Sequence, residues 1–338
     1  MEKIYFFLNS YLGMYLTQSV FHSAVAAVLA DCTIIAWGIT SPARRQALRI
    51  WVILIPIAAF PVYQILDPER GDIYFRQDAL MDTSGWLLMK LWGHLPVIVF
   101  FFIVLALTVF IFLFQELLPI IRHTAEATGG KEEGGGDDKG QDEGELPDRY
   151  DTSIIKALEG IPGGNPQVVV IDDEDLVVFS STGRVPAVYV STGLIDELDG
   201  EQLRGAIAHE IAHIRRTRRP VLTFLFVFRV LMFFNPVALF EFRRAVQDEE
   251  EICDDEAVRS TGDPIALSSA LEKFLESHET GEEQGNVRGI EDYSHDMLLR
   301  KRISRLTAEG TLNADKEAGR FSLPVFILFT LAMNFFIV

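Results

Sequence analysis

The chain has 338 residues, and 49% of them are hydrophobic, a fraction that is high for an ordinary soluble protein. This composition excludes collagen-like, wholly disordered and disulfide-rich secreted proteins. The 30 Lys and Arg residues stand against 48 Asp and Glu residues, and the formal net charge of −18 argues against nucleic acid as a partner. The only cysteines, Cys32 and Cys253, indicate no disulfide framework.

Three long apolar runs, at 14–39, 48–66 and 96–121, are each close to the roughly 20 residues that cross a bilayer. They predict a multi-pass protein of the cell membrane. The predicted division of the chain has four parts, which are a three-span region at 1–121, a flexible acidic and Gly-rich linker at 122–149, a globular domain at 150–320 and a C-terminal transmembrane helix at 321–338.

Arginines flank the predicted spans on one side. Arg44, Arg45 and Arg49 follow the first run, Arg122 follows the third, and Arg320 precedes the last. The connection between the second and third runs also carries Arg70, Arg76 and Lys90, diluted over a longer stretch. Because positive residues near the spans favour the cytoplasmic side of a membrane, the pattern favours a cytoplasmic globular domain.

The globular domain opens with β-branched segments at 168–171, 176–179 and 187–190, which turn-rich sequences separate. These segments predict a small sheet. A helical pattern then begins near Asp199 and runs past Ile214. The domain is therefore expected to be of the α+β class.

The predicted helix carries the sequence AHEIAHI, in which His209 and His213 are four residues apart and Glu210 follows the first of them. At 3.6 residues per turn both imidazoles lie on one face and can bind a single zinc ion. Glu210 is offset around the helix and is suited to act as the general base on water. The alternative to a metal site is that two exposed or core histidines of an amphipathic helix flank a glutamate by chance.

A catalytic zinc ion takes three protein ligands, and the segment DEEEICDDEAV offers the third. Glu250 and Asp254 are four residues apart on a predicted helix, so one can bind the metal and the other can accept a hydrogen bond from a ligating imidazole. Glu249 and Glu251 are expected to be solvated. An exposed acidic face is the alternative for this run, and Cys253 is either buried filler or a ligand.

Four segments in this order resemble a known group, namely VYVSTGLIDELDGEQLRGAIAHEIAHIRR, FFNP, EEEICDDEAV and LLRKRISRL. The group is the membrane-embedded zinc metallopeptidases of the BlaR/MecR antirepressor type, with the related HtpX-like and CAAX prenyl proteases. The resemblance covers about residues 150 to 310. It implies an α-helical membrane protein with a zincin-like, gluzincin-type cytoplasmic domain, with zinc on His209, His213 and Glu250, a catalytic Glu210 and a supporting Asp254.

The sequence also departs from that group. Relatives often carry an acidic residue five positions after the second histidine, where this chain has Arg218. Nothing follows Val338, so we expect no extracellular β-lactam-binding domain and no antibiotic sensing by that route.

Peptidase chemistry needs further groups near the metal. The segment 187–191 is expected to be an edge strand to which an extended peptide substrate adds by backbone pairing. Tyr293, His295 and Arg302 are candidates for stabilising the oxyanion, although each of them is more often a surface or packing residue.

A further apolar run at 221–240 is not expected to be a simple span, because a crossing there would separate His209 from Glu250. Asn235 and Pro236 interrupt the run, which predicts two helices with a break at FFNP. The pair either lies against the membrane or forms part of a buried core.

The sequence thus predicts a zinc metalloendopeptidase with one zinc ion per chain and a protein or peptide substrate at or near the membrane, in regulatory proteolysis with signal transduction or in quality control. The alternative is a signalling receptor or scaffold with a structural or silent zinc site.

Overall fold

The computed structural model describes residues 2–118, 148–162, 166–181, 185–217, 221–282, 290–308 and 321–338. The predicted linker at 122–149 lies outside these residues apart from its last two, and Arg122, Arg218 and Arg320 lie outside them as well.

Helices account for most of the described N-terminal region. They are α1 (Glu2–Leu8), α2 (Tyr11–Ala36), α3 (Pro42–Leu66), α4 (Ile73–Asp78), α5 (Thr83–Leu88) and α6 (Val97–Ile111), with a 3₁₀ turn at Pro68–Gly71 and a π-helical segment at Phe112–Leu117. A short antiparallel hairpin, β1 (Lys90–Leu91) and β2 (Leu95–Pro96), precedes α6. The hydroxyl of Ser10 begins α2 by accepting a hydrogen bond from the amide of Gly13 at 3.1 Å.

The remaining elements are one helix, three strands and then a series of helices. They are α7 (Asp148–Leu158), β3 (Gln167–Ile171), β4 (Val178–Ser181), β5 (Ala187–Ser191), α8 (Thr192–Glu197), α9 (Gly200–Thr217), α10 (Val221–Leu231), α11 (Pro236–Thr261), α12 (Pro264–Glu282), α13 (Ile290–Thr307) and α14 (Ser322–Phe335).

Three helices coincide with the three predicted spans. Tyr11–Ala36, Pro42–Leu66 and Val97–Gln115 have 26, 25 and 19 residues and are long and apolar enough to cross a membrane. The apolar C-terminal helix α14 has 14 residues, or about 21 Å at 1.5 Å per residue, against a hydrocarbon core of roughly 30 Å. A crossing at 321–338 therefore stays a prediction.

The described residues form two units, and those of the first are 2–118, 222–246 and 321–338. In this unit α2 packs against α3, and α14 packs against both. This unit contains a network of ion pairs. Arg49 pairs with Glu241 at 3.0 Å, and Arg244 pairs with Glu241 and Asp31, each at 2.8 Å.

The break at FFNP is present as predicted. Helix α10 ends at Leu231, and α11 begins at Pro236. The side chain of Asn235 accepts hydrogen bonds from the amides of Val237 at 3.0 Å and Ala238 at 3.3 Å, so it is the N-cap of α11, and proline follows it at the first helical position. Contact of the segment 221–240 with a membrane stays a prediction.

The described residues of the second unit lie within 148–221 and 247–308, and they include a three-stranded sheet in the order β3–β5–β4. Strand β5 is parallel to β3 and antiparallel to β4. The rings of Phe179 and Tyr189 stack across β4 and β5 with their centroids 4.8 Å apart. Helix α9 packs against β4, α7 and α12, and its Gly205 allows a close approach, since a Cβ there would lie 3.3 Å from the Cα of Leu267.

The prediction that 187–191 is an edge strand is wrong, because β5 lies between its two neighbours. Four of its five side chains are buried, which is typical of a central strand. Among the described residues β4 has a neighbouring strand on one side only. The edge beside α9 therefore belongs to β4.

Candidate metal centre

Helix α9 begins where the sequence predicts it. The Asp199 carboxylate accepts hydrogen bonds from the amides of Glu201 at 3.0 Å and Gln202 at 2.9 Å, while the Gln202 side chain accepts from the Asp199 amide at 3.0 Å. This reciprocal capping fixes the first turn. The two histidines of AHEIAHI then follow in the third and fourth turns, on one face of the helix.

Three predicted ligands converge. The Nε2 atoms of His209 and His213 are 3.1 Å apart, and the carboxylate oxygens of Glu250, on α11, lie 3.5 Å from each of them. All three donor atoms lie within 4.8 Å of one another. Donors of a tetrahedral zinc site with bonds of about 2.0–2.1 Å stand about 3.3 Å apart, so this set of two nitrogens and one oxygen fits zinc.

Asp254 lies behind the first histidine, as the spacing predicts. Its Oδ1 is 3.0 Å from Nδ1 of His209, and the residue is fully buried. Burial lowers the pKa of His209, but hydrogen bonds to Asp254 and Glu250 outweigh it and raise the pKa to about 9. For Asp254, burial raises the pKa, whereas the charge of Arg302 and the hydrogen bond to His209 bring it down to about 2.

Arg302, a candidate for the oxyanion, lies among the carboxylates. Its Nε and Nη2 atoms donate to the two oxygens of Asp254 at 2.8 and 2.6 Å, and its Nη1 lies 3.2 Å from Glu250. This two-pronged geometry is typical of a strong arginine–carboxylate pair. The side chains of the other two candidates, Tyr293 and His295, lie outside the described part of the structure.

Glu210 lines an open cavity of about 460 Å³ together with all three candidate ligands. Strand β4 forms one wall with Val178, Phe179 and Ser180. Apolar residues form much of the remaining wall, namely Ala206 of α9, Leu267, Ala270, Leu271 and Phe274 of α12, and Leu299 of α13. Glu210 therefore faces a space that can admit a peptide segment.

Sequence reasoning missed this apolar wall. The four α12 residues recur at intervals of three, one and three positions, which is the pattern of one helix face. The pattern was available in the sequence, but it does not distinguish a face that lines a cleft from one that fills a core.

The prediction that Glu249 and Glu251 are solvated is wrong, since they are 5% and 2% exposed. Arg216 of α9 pairs with Glu249 at 2.7 Å, and Lys301 of α13 pairs with Glu251 at 2.8 Å. The acidic stretch is buried because flanking helices supply cations to it, which a reading of α11 by itself does not reveal.

Cys253 is fully buried and is not one of the three converging donors. Its sulfur lies 3.5 Å from Nδ1 of His213. Burial, together with the nearby charges of Glu249 and Glu250, raises the pKa of the thiol. The residue is thus a neutral neighbour of the site.

Comparison with known proteins gives one family and a set of relatives. The model of the family described as BlaR1 peptidase M56 matches residues 180–304, which include both histidines, Glu210, Glu250 and Asp254. No solved structure matches the chain.

Three proteins named Protease HtpX homolog illustrate the relatives. The one from Tropheryma whipplei is 27% identical over 180 residues, covering 42% of this chain and 58% of its own length. Those from Acidiphilium cryptum and Streptococcus mutans are 49% and 43% identical over 64 and 75 residues, covering 18% and 21% of this chain and 21% and 24% of their own lengths. The chain thus spans between about a fifth and three fifths of these relatives. Together with the family match, they confirm the resemblance to M56 and HtpX-like membrane metallopeptidases drawn from the motifs.

Proposed function

We propose that this chain is a membrane-embedded, zinc-dependent endopeptidase that hydrolyses a peptide bond of a protein at or near the cytoplasmic face of the membrane. The observation that carries the proposal is the convergence of His209, His213 and Glu250 at a cavity that Glu210 also lines. The similarity to BlaR1 peptidases and to HtpX homologues supports it. The three apolar helices support attachment to a bilayer, and the arginines beside them favour a cytoplasmic site.

His209, His213 and Glu250 would hold one zinc ion per chain. When bound, zinc would polarise the carbonyl of the scissile peptide bond and make a water molecule easier to deprotonate. Asp254 orients the ring of His209 through Nδ1, and Arg302 holds the carboxylates of Asp254 and Glu250 in place.

Glu210 is the general base in this proposal. It takes a proton from the attacking water and later delivers a proton to the nitrogen of the leaving amine, which allows the C–N bond to break. Its position on the cavity wall beside the histidines supports this role.

The edge of β4 is the site to which we assign the substrate backbone. An extended peptide that pairs with this edge would lie along the cavity wall formed by Val178, Phe179 and Ser180. The apolar residues of α12 would face its side chains.

The alternative, a receptor or scaffold with a structural zinc site, is less well supported. A structural zinc ion is enclosed by four protein ligands. Here three donors converge beside an open cavity of about 460 Å³, which leaves room for water and substrate.

The test is the zinc content and casein cleavage of the full chain purified in detergent. We expect the wild type to hold about one zinc ion, Glu210→Gln to keep it without cleaving, and Glu250→Ala to lose both. Glu272→Gln, an exposed substitution on α12, is the matched control and should cleave like the wild type. Absence of zinc from the wild type would overturn the proposal, and full zinc without cleavage would favour the receptor.

A further inference from the structure

Cys253 lies directly behind the second histidine. Its Sγ atom is 3.5 Å from Nδ1 of His213, while Nε2 of the same ring lies 3.5 Å from Glu250. The sulfur therefore contacts the ring nitrogen that faces away from the converging donors.

The first histidine, His209, has an equivalent neighbour in Asp254. Nδ1 of His209 lies 3.0 Å from Asp254, and its Nε2 lies 3.5 Å from Glu250. Positions 250, 253 and 254 are spaced i, i+3 and i+4 on α11, so they share a helix face. One turn of α11 thus presents a neighbour to the outer nitrogen of each histidine on α9.

We propose that Cys253 is a positioning residue for His213, whose sulfur accepts a hydrogen bond from Nδ1–H and keeps Nε2 directed at the metal. This inference rests on the proposed function, in which His213 is a ligand. A neutral imidazole carries one N–H, and when this is on Nδ1 the lone pair of Nε2 is available to a metal. Residues that hold the outer nitrogen fix both the tautomer and the ring orientation.

A thiol suits this position for an electrostatic reason. Glu249, Glu250, Glu251 and Asp254 already place four carboxylates within six consecutive positions of α11, three of them at most 5% exposed. A further carboxylate at 253 would add another buried negative charge without a cation of its own, which is costly. Sulfur is a weak acceptor but adds no charge.

Simple filling of space is the competing explanation, and two substitutions separate it from positioning. Serine keeps an acceptor at position 253, whereas alanine removes it. If the residue only fills space, serine should be no better than alanine, because a buried hydroxyl gains nothing there. If it positions His213, serine should restore zinc binding relative to alanine.

The experiment uses the full chain in detergent, with zinc affinity measured by competition with a chelator and the site monitored by the visible spectrum of bound Co²⁺. We expect Cys253→Ala to bind zinc about tenfold more weakly with an altered cobalt spectrum, and Cys253→Ser to recover most of that loss. Cys32→Ser, which removes the other, exposed thiol, is the matched control and should match the wild type.

Three results would overturn the inference. If Cys253→Ala bound zinc as tightly as the wild type, or at least as tightly as Cys253→Ser, the result would mean that Cys253 only fills space. Loss of an intense sulfur-to-cobalt absorption in Cys253→Ala would make the cysteine a ligand. Failure of the wild type to bind any zinc would overturn the proposed function as well, so the two failures are distinguishable.

Discussion

The Nδ1 atom of His209 lies 3.0 Å from Oδ1 of Asp254, and this carboxylate in turn accepts two hydrogen bonds from Arg302 at 2.8 and 2.6 Å. The three side chains therefore contact one another beside the candidate metal position, where Arg302 also lies 3.2 Å from Glu250. Each member limits the freedom of the next, which is how outer groups orient the ligands of a metal.

Asp254→Asn tests the contact between Asp254 and His209. The amide keeps nearly the same shape but loses the charge that orients His209, so we expect zinc affinity to fall by about 10- to 100-fold. Chelator competition measures the change. Asp255→Asn is the control, because Asp255 pairs with Arg305 and makes no contact with the histidines in the described structure. Equal affinity in wild type and Asp254→Asn would contradict the role.

Arg302→Ala tests the contact between Arg302 and Asp254. Removal of the guanidinium leaves the buried carboxylate of Asp254 without its cation, and breaking a buried pair of this kind costs about 3–5 kcal/mol. We expect a lower thermal midpoint and weaker zinc binding. Arg302→Lys should recover only part of both, since an ammonium group cannot make the two-pronged contact. Arg300→Ala, an exposed change on the same helix, should leave the midpoint near that of the wild type.

The ligand helices were predictable because their signals are local. The spacing of His209 and His213 fixes a shared face, Asp199 caps the helix, and Asn235 and Pro236 mark the break before α11. Each of these features depends on residues within a few positions of one another.

Features that depend on distant residues were not predictable. Strand β5 is central because β3 and β4 both pair with it, and the short β-branched segments do not reveal that order. Glu249 and Glu251 are buried because Arg216 and Lys301 reach them from other helices. A single sequence reports the composition of each segment but not its partners.

Removal of the metal should destabilise the protein. A ligand that binds only the folded state adds about 2.7 kcal/mol when its free concentration is 100-fold above its Kd, which corresponds to a shift on the order of 5–10 °C in the thermal midpoint. We expect a chelator to lower the midpoint of the wild type and Glu210→Gln alike. Glu250→Ala should not respond, because it lacks a ligand. A response of all three proteins would place the stabilising metal elsewhere.

The edge of β4 supplies the last prediction. Ser191 donates its amide to the carbonyl of Val177 at 3.0 Å, so in this antiparallel ladder residues 177 and 179 point their backbone groups at β5. The backbone groups of Val178 and Ser180 then point to the outer edge, where a substrate peptide would pair.

Ser180→Pro removes an outward amide and leaves the β4–β5 ladder intact. Loss of one hydrogen bond to the substrate costs about 0.5–1.5 kcal/mol, so we expect kcat/KM to fall about 3- to 10-fold with unchanged zinc content. Ser180→Ala keeps the amide and should behave like the wild type. Phe179→Pro should instead lower the thermal midpoint, because it removes a bond within the sheet. Full activity in Ser180→Pro would show that substrate does not pair with this edge.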